Sequence, residues 1–275
     1  MKPSQAADQI SLDGLKAQLE LYDRYIPEKL QSLEEKRLKT IPAALERRRR
    51  DGDAFLEKEE VQDLVEWKLK HGTYRPKLAS LVASNSASTI RCTTTTAFRI
   101  YAANPDEYAT ALTTLATLRG VGPATASLLL ACGDPAVVPF FSDELFRYVH
   151  WESDARGKGW DRKIGYAMKE YRALWTRVQA LRERLAGEGT GDGQVRAVDL
   201  EKVAYVLGRA AKEVVERGGE KSEEAVRRLG REGVKRGGDA EEEEEGEEGE
   251  EAIRPPPSKR RRRASSPPPS TSEPA

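Results

Sequence analysis

The sequence predicts an all-α fold, and three observations carry this prediction. Apolar residues recur at three- and four-residue spacing in several segments, which is typical of amphipathic helices. No segment shows the sustained alternation of apolar and polar residues that a half-buried strand requires. Helix start signals, such as Asn104 followed by Pro105, flank the periodic segments. The hydrophobic share of 38% is nevertheless low for 275 residues, so we expect part of the chain not to fold.

The first 54 residues are predicted to form a helical extension. Leucine recurs at helical spacing over residues 11–52, and Pro27 and Pro42 divide this segment into shorter pieces. The pieces can pack on the core as extra helices, or they can present a separate amphipathic surface. The sequence leaves both alternatives open.

Residues 55–218 are predicted to form the main helical domain. Its clearest helices carry apolar stripes at Val61, Leu64, Val65 and Leu69, and at Ile164, Tyr171, Leu174, Trp175, Val178, Leu181 and Leu185. The threonine-rich segment 89–99 is interpreted as a helix whose hydroxyl groups bond back to the backbone. A last packed helix follows the glycine-rich loop 187–194, and we expect packed structure to end near Gly218.

Charge is distributed unevenly along the chain. Basic and acidic residues each total 46, but residues 239–275 hold 11 acidic and 6 basic ones, which leaves a small basic excess before them. Residues 219–275 combine an acidic block, prolines and a basic cluster, and we expect this tail to be disordered because it cannot bury a core. The cluster predicts a nuclear import signal, or alternatively a polyanion-binding segment, formed by Lys259, Arg260, Arg261, Arg262 and Arg263.

Several classes of site are not expected. Cys92 and Cys132 are too few for a disulfide framework or an iron–sulfur cluster. Neither His71 nor His150 has a metal-ligand companion at helical spacing, so both are interpreted as surface or helix-end residues and no metal site is predicted. The sequence shows no signal peptide and no membrane span. We therefore expect a soluble, monomeric, nuclear protein with no membrane partner.

The segment "LRGVGPATASLLL", which starts at Leu118, predicts a helix-hairpin-helix. Gly120 and Gly122 permit backbone conformations that other residues avoid, and Val121 between them can turn inward as a plug. Pro123 then presets the first helical φ of the second helix. The alternative is a tight connection between two helices that binds no ligand.

A hairpin of this kind can hold a phosphate group. Amides at the start of the second helix have no partner within the helix, so they can bind a phosphate oxygen directly or through a monovalent cation. Such contacts recognise the nucleic-acid backbone and not its sequence. The candidate DNA-binding residues are Gly120, Val121, Gly122, Ala124 and Thr125. No other cofactor is expected.

The hairpin together with "FFSDELFR" resembles the helix-hairpin-helix superfamily of DNA glycosylases, in which an aspartate begins a helix beyond the hairpin. Asp143 follows Gly120 by 23 positions, a spacing similar to that of the longer-loop members. With "VEWKLKHGTYRPKL" and "PFFSDE" added, the chain is most similar to the Amun-like group of eukaryotic glycosylase-like proteins over roughly residues 55–210. A second carboxylate, Glu144, stands where the superfamily usually has a small residue or histidine.

The resemblance implies a base-flipping DNA N-glycosylase that acts on duplex DNA. In that role the Asp143 carboxylate stabilises the sugar cation as the base departs, or helps to activate water. Bifunctional members carry a nucleophilic lysine at the position where this chain has Ala124. The resemblance therefore implies a monofunctional enzyme, without lyase activity, that takes part in base excision repair.

Each of these interpretations has an alternative. Ser142 or Asp143 can simply cap the helix that follows. The nearby aromatic residues can line a base pocket or belong to the core, and they are Phe140, Phe141, Tyr148, Trp151 and Trp160. For the whole protein, the alternatives to an enzyme are a catalytically inactive DNA- or chromatin-binding module and a protein-interaction scaffold.

Overall fold

The computed structural model describes residues 6–72, 75–152, 156–188 and 194–233, and side chains up to residue 217. Within these ranges the chain is helical and contains no sheet strand, which confirms the all-α prediction. Residues 1–223 form one compact unit. A second unit comprises residues 224–275, of which only 224–233 are described, as helix. The predicted import signal at Lys259 to Arg263 lies outside the described residues.

The N-terminal helices pack on the same core as the rest of the first unit, so they do not form a separate amphipathic surface. They are α1 (Leu12–Leu19), α2 (Tyr22–Tyr25), α3 (Glu28–Glu35) and α4 (Ile41–Asp51). A π-helical stretch, Lys36–Thr40, joins α3 to α4. Pro27 divides the segment as predicted, since it is the N-cap of α3. Pro42 does not, because α3, the π-helical stretch and α4 are continuous from residue 28 to residue 51.

The middle of the chain contributes five helices to the core. They are α5 (Lys58–His71), α6 (Pro76–Ala83), α7 (Ala87–Ala103), α8 (Tyr108–Leu115) and α9 (Pro123–Gly133). The predicted stripe on α5 is buried, and α5 begins with a capping box between Glu57 and Glu60. In α7 the Thr94 hydroxyl donates to the Ile90 carbonyl at 2.8 Å and the Thr96 hydroxyl to the Cys92 carbonyl at 2.9 Å, as predicted for this segment.

Three further helices complete the described structure: α10 (Asp143–Val149), α11 (Met168–Ala186) and α12 (Ala197–Gly233). Helix α11 starts later than the apolar stripe suggested, because Gly165 and the left-handed Tyr166 precede it in irregular backbone. Helix α12 continues past Gly218 to Gly233. None of the described helices has both the length and the apolar character that a membrane crossing requires.

A buried ionic network ties the N-terminal helices to α12. The Arg37 guanidinium donates to Glu201 at 2.8 Å and to Glu34 at 2.9 Å, and it lies 4.0 Å from the Trp67 ring centroid. The Trp67 indole N–H donates to Glu34. Arg37 is 4% exposed and Glu201 1%, so these charges are screened by each other and not by water.

Candidate functional site: a glycine turn and an adjoining cleft

Residues 116–122 form the turn that joins α8 to α9. Gly120 adopts a left-handed φ of 78°, a conformation in which a side chain is strained. A Cβ on Gly120 would also lie 2.8 Å from Cβ of Leu81 on α6, whereas a Cβ on Gly122 would meet nothing within 4 Å. As predicted, the Val121 side chain turns inward and is 6% exposed. The two glycines therefore have different roles: Gly120 is required by geometry, and Gly122 leaves an open surface.

The turn is held from α6 by a side chain that the sequence did not single out. The Asn85 amide group donates to the Arg119 carbonyl at 3.0 Å and accepts from the Arg119 N–H at 2.9 Å. It also donates to the Val82 carbonyl at 2.9 Å. Asn85 is buried. Its amide group satisfies both backbone groups of Arg119 and so links the end of α6 to the turn.

We expect Asn85→Ala to lower the free energy of unfolding by about 1–3 kcal/mol, because the part-buried N–H and carbonyl of Arg119 and the buried Val82 carbonyl each lose a hydrogen-bond partner. Urea unfolding followed by circular dichroism measures the change. Ser84→Ala is the matched control, since the neighbouring Ser84 hydroxyl is exposed and bonds only to the Leu81 carbonyl of its own helix. Equal stability of the Asn85 variant and the wild type would show that the Asn85 hydrogen bonds contribute nothing to the free energy of unfolding.

Some backbone amides of the turn donate hydrogen bonds within the protein, and others do not. The Val121 N–H donates to the Leu118 carbonyl at 3.0 Å, and the Thr125 N–H donates to the Gly122 carbonyl at 3.0 Å. The Gly120, Gly122 and Ala124 amides donate to no acceptor among the described residues. The side chains of Ala124 and Thr125 are buried. Of the five residues predicted to bind DNA, Gly120, Gly122 and Ala124 thus retain amides for an outside acceptor.

The N-terminal cap of α10 resolves the alternative roles of Ser142 and Asp143. The Ser142 hydroxyl accepts from the Leu145 N–H at 3.1 Å and is the N-cap of α10. Asp143 is the first residue of α10, and its carboxylate makes no cap bond. It instead accepts from the Tyr166 hydroxyl at 2.6 Å and lies 3.6 Å from the Arg147 guanidinium. Capping therefore does not account for Asp143.

Tyr166 reaches Asp143 from a strained position just before α11. Its φ of 56° makes it the one non-glycine residue with positive φ in the described backbone, and such strain often accompanies function. Its ring packs 5.7 Å from Phe141, and the Arg75 guanidinium lies 5.0 Å from its centroid. Burial, and then the nearby Asp143 carboxylate, raises the pKa of the Tyr166 hydroxyl, which keeps it a hydrogen-bond donor.

Asp143 opens into a cleft between α5, the segment before α6, α10 and Tyr166. The cleft is narrow: its internal volume is about 30 Å³, and the figure reaches about 400 Å³ only when space open to solvent is included. The lining combines basic, acidic and aromatic groups, namely Lys68, His71, Gly72, Arg75, Phe140, Phe141, Ser142, Asp143, Glu144 and Tyr166. Phe140 and Phe141 therefore belong to both the core and the cleft wall. Together these groups form a concave site with converging charges, a common feature of binding sites.

Two titratable groups of the cleft, His71 and Glu144, are buried. His71 is stacked between Trp67 and Tyr205 at centroid distances of 4.5 and 4.3 Å. Burial, followed by nearby cations, holds the pKa of His71 well below its usual range, and burial raises the pKa of Glu144. The interpretation of His71 and His150 as surface residues was wrong. Both end helices, but they are 5% and 6% exposed because their rings pack on aromatic neighbours.

The turn and the cleft are separate surfaces that α9 and α6 connect. The Ser127 hydroxyl on α9 accepts from the Phe141 N–H at 2.9 Å, two residues before Asp143. On the other side, α6 contacts Gly120 through Leu81, and Arg75 just before α6 lines the cleft. Gly120 and Gly122 themselves do not line the cleft. A ligand that reaches both must therefore be extended, as a nucleic acid strand is.

Sequence reasoning missed three members of this site: Lys68, Asn85 and Tyr166. Lys68 is one of three lysines on α5 and no local pattern distinguishes it, and Tyr166 lay inside an apolar stripe that suggested helix. Asn85 follows an apolar helix in the run "SNS", where a polar loop is the ordinary interpretation. No metal-binding group of three His, Cys, Asp or Glu side chains occurs in the part of the chain that the structure describes.

Comparison of the chain with protein-family models, curated proteins and solved structures gave no match.

Proposed function

We propose that the chain binds duplex DNA through the turn between α8 and α9, as a helix-hairpin-helix does, and that it removes a base by hydrolysis with Asp143 as the key carboxylate. The resemblance to DNA glycosylases motivates this proposal. One observation at the start of α10 carries it. Ser142 caps the helix, and the Asp143 carboxylate, which makes no cap bond, lines the cleft. A carboxylate in that position can stabilise positive charge on a sugar as a base departs.

The surface of the turn suits a polyanion. Three amides are unused there, and Gly122 is exposed with free space where a side chain would stand. Arg119 is the one charged residue between positions 108 and 133, so no carboxylate on either helix opposes a phosphate. Lys77 adds a second exposed cation on α6, the helix whose Leu81 lies against Gly120. Phosphate binding at a helix start of this kind needs no base contacts.

A DNA-binding module without chemistry is the second candidate, and one observation favours it. The Asp143 carboxylate already accepts a hydrogen bond from Tyr166 and lies beside Arg147. A carboxylate with such partners can serve structure alone. In that case the turn would still bind the DNA backbone, and no base would be released. The nuclear location, import through the cluster at Lys259 to Arg263 and the monomeric state remain part of the proposal for either function.

The DNA-binding half is tested by Gly122→Asp. Gly122 is the N-cap of α9, where its φ of −102° is open to any residue, and aspartate is a favoured cap. The variant should therefore fold at least as stably as the wild type. Its carboxylate would occupy the amides and repel phosphate, so we expect affinity for a duplex to fall by about tenfold or more. Fluorescence anisotropy with a labelled duplex at fixed salt measures this.

Gly122→Ala is the matched control, because it adds a Cβ without charge at the same open position. We expect Gly122→Ala to bind DNA more tightly than Gly122→Asp. The loss of affinity in Gly122→Asp should be the same for unrelated duplex sequences, since backbone contacts are sequence-independent. Unchanged affinity of a folded Gly122→Asp variant would contradict DNA anchoring at this turn. A wild type without measurable duplex affinity at low salt would contradict both candidate functions.

A further inference from the structure

A second cavity lies between the π-helical stretch, α9, the segment that follows α9, and the start of α12. Its internal volume is about 190 Å³, and the figure reaches about 710 Å³ when space open to solvent is included. The cleft at Asp143 has an internal volume of only about 30 Å³. Protein interiors contain few voids larger than a water molecule, and apolar cavities of about 150 Å³ can bind benzene. This cavity is therefore large enough for the body of a small organic molecule.

The residues that line the cavity are apolar where they are buried and cationic where they are exposed. The buried apolar members are Leu128, Cys132, Val138 and Phe140. Lys39 and Arg196 line the same cavity and are exposed, and Lys202 is partly buried. A molecule with an apolar body and an anionic group would match both parts of the lining.

One wall of the cavity has an irregular backbone. Arg37, Leu38 and Lys39, which line the cavity, all belong to the π-helical stretch. Such stretches are rare and often occur at functional sites. In addition, Nε of Arg37 and Oε1 of Glu201 are buried without a hydrogen-bond partner among the described residues, which is uncommon. Local departures of this kind are expected at a functional site and not where a wall only fills space.

Lys202 differs from the other cations of the lining because no carboxylate pairs with it. The others each lie 2.8, 3.6 or 2.7 Å from a carboxylate oxygen, in the pairs Arg37–Glu201, Lys39–Glu35 and Arg196–Asp199. Lys202 forms no salt bridge and no hydrogen bond through its amine with any residue in the described ranges. Its amine instead lies 4.9 Å from the Tyr22 ring centroid. One unpaired cation suits a ligand with a single negative charge.

We propose that this cavity binds a small organic monoanion, a carboxylate whose apolar body is about the size of a phenyl group. The body would pack on the buried apolar residues, and the carboxylate would lie beside Lys202. A dianion such as a phosphate monoester would leave one of its charges without a partner. The site is distinct from the turn and shares only Phe140 with the cleft at Asp143, so the proposal does not depend on DNA binding.

Titration of the full-length chain with matched probes tests the charge of the occupant. The probes 3-phenylpropionate, 3-phenylpropanol and 3-phenylpropylamine have the same apolar body and differ in charge, and 3-phenylpropyl phosphate adds a dianion. We expect isothermal titration calorimetry to give one site per chain. The carboxylate should bind about tenfold more tightly than the alcohol or the amine, because pairing with Lys202 adds to the burial of the ring.

Two variants locate the site. Lys202→Gln should lower the affinity for 3-phenylpropionate by about tenfold and leave the affinity for the alcohol unchanged, whereas Lys169→Gln at an exposed position on α11 should change neither. Ala131 lines the cavity from α9, so Ala131→Leu should fill part of the cavity and lower the affinity for every probe. Ala102→Leu adds the same bulk at an exposed position on α7 and should bind like the wild type.

The titrations can overturn each part of the proposal. A wild type that binds no probe at millimolar concentration, or unchanged binding by Ala131→Leu, would exclude the cavity as a ligand site. Equal or tighter binding of the alcohol or the amine would exclude an anionic ligand, and tighter binding of the phosphate would exclude a single charge. Unchanged binding of the carboxylate by Lys202→Gln would exclude the role of that lysine.

A second measurement covers the case in which Ala131→Leu fails to fold. In the wild type, we expect nuclear Overhauser effects between the phenyl protons of bound 3-phenylpropionate and the methyl group of Ala131. Their absence from a bound complex would place the ligand elsewhere and overturn the proposal. Because no sample contains DNA, these results stand or fall separately from the proposed function.

Discussion

Asp143→Asn is expected to slow base release by about 10²–10³-fold, the loss typical of removing one electrostatic stabiliser from a transition state. The substitution keeps the shape of the side chain and an oxygen that can accept from the Tyr166 hydroxyl. It removes the negative charge that would face the sugar cation. The measurement is alkali-sensitive strand cleavage of duplexes that each contain one altered base: uracil, an oxidised purine, an alkylated purine or a deaminated purine.

Asp23→Asn is the control for this substitution, because it makes the same chemical change at an exposed position on α2. It should release base at the wild-type rate. Equal rates for Asp143→Asn and the wild type would exclude the carboxylate from the reaction. If the wild type releases no base from any duplex and yet binds DNA, the catalytic half of the proposal fails and the binding module is the better description.

Much of the fold follows from local patterns in the sequence. The stripe on α5, the cap at Asn104 and the Gly-Val-Gly turn each depend on neighbours three or four residues apart, and each is present in the structure. The start of α11 was placed too early for the same reason. The spacing of Ile164 continues the stripe, but the left-handed backbone of Tyr166 is not helical, and its side chain is bonded to the distant Asp143.

The site was less predictable because its members come from distant parts of the chain. Asp143 was singled out because it follows the predicted hairpin at a spacing similar to that of the family the sequence resembles. Lys68, Arg75 and Tyr166 join it only when α5, α6 and the segment before α11 pack together. The choice between Ser142 and Asp143 as cap could not be made from sequence either, because either side chain can reach the first-turn amides of α10.

The second large effect is expected for Arg37→Met, which should lower the free energy of unfolding by about 3–5 kcal/mol. Methionine roughly fills the space of the arginine stem, but it leaves Glu34 and Glu201 buried together without a cation. Two adjacent buried carboxylates repel each other and are poorly solvated. The measurement is urea unfolding followed by circular dichroism. Arg49→Met is the control, since the Arg49–Glu46 pair is exposed and such pairs contribute about 0–1 kcal/mol.

The pH dependence of this loss distinguishes an electrostatic cause from simple misfit. Burial raises the pKa of Glu201 even with Arg37 present, and removal of Arg37 should raise it further. A carboxyl group whose pKa is higher in the folded state binds its proton more tightly when folded, so stability increases as the pH falls. The loss of stability in Arg37→Met should therefore shrink between neutral pH and about pH 5, above the ordinary glutamate pKa of about 4.3.

Combining Arg37→Met with Glu34→Gln and Glu201→Gln should restore stability at neutral pH and remove this pH dependence. A deficit that is the same at both pH values would show instead that the lost packing on Trp67 is what matters.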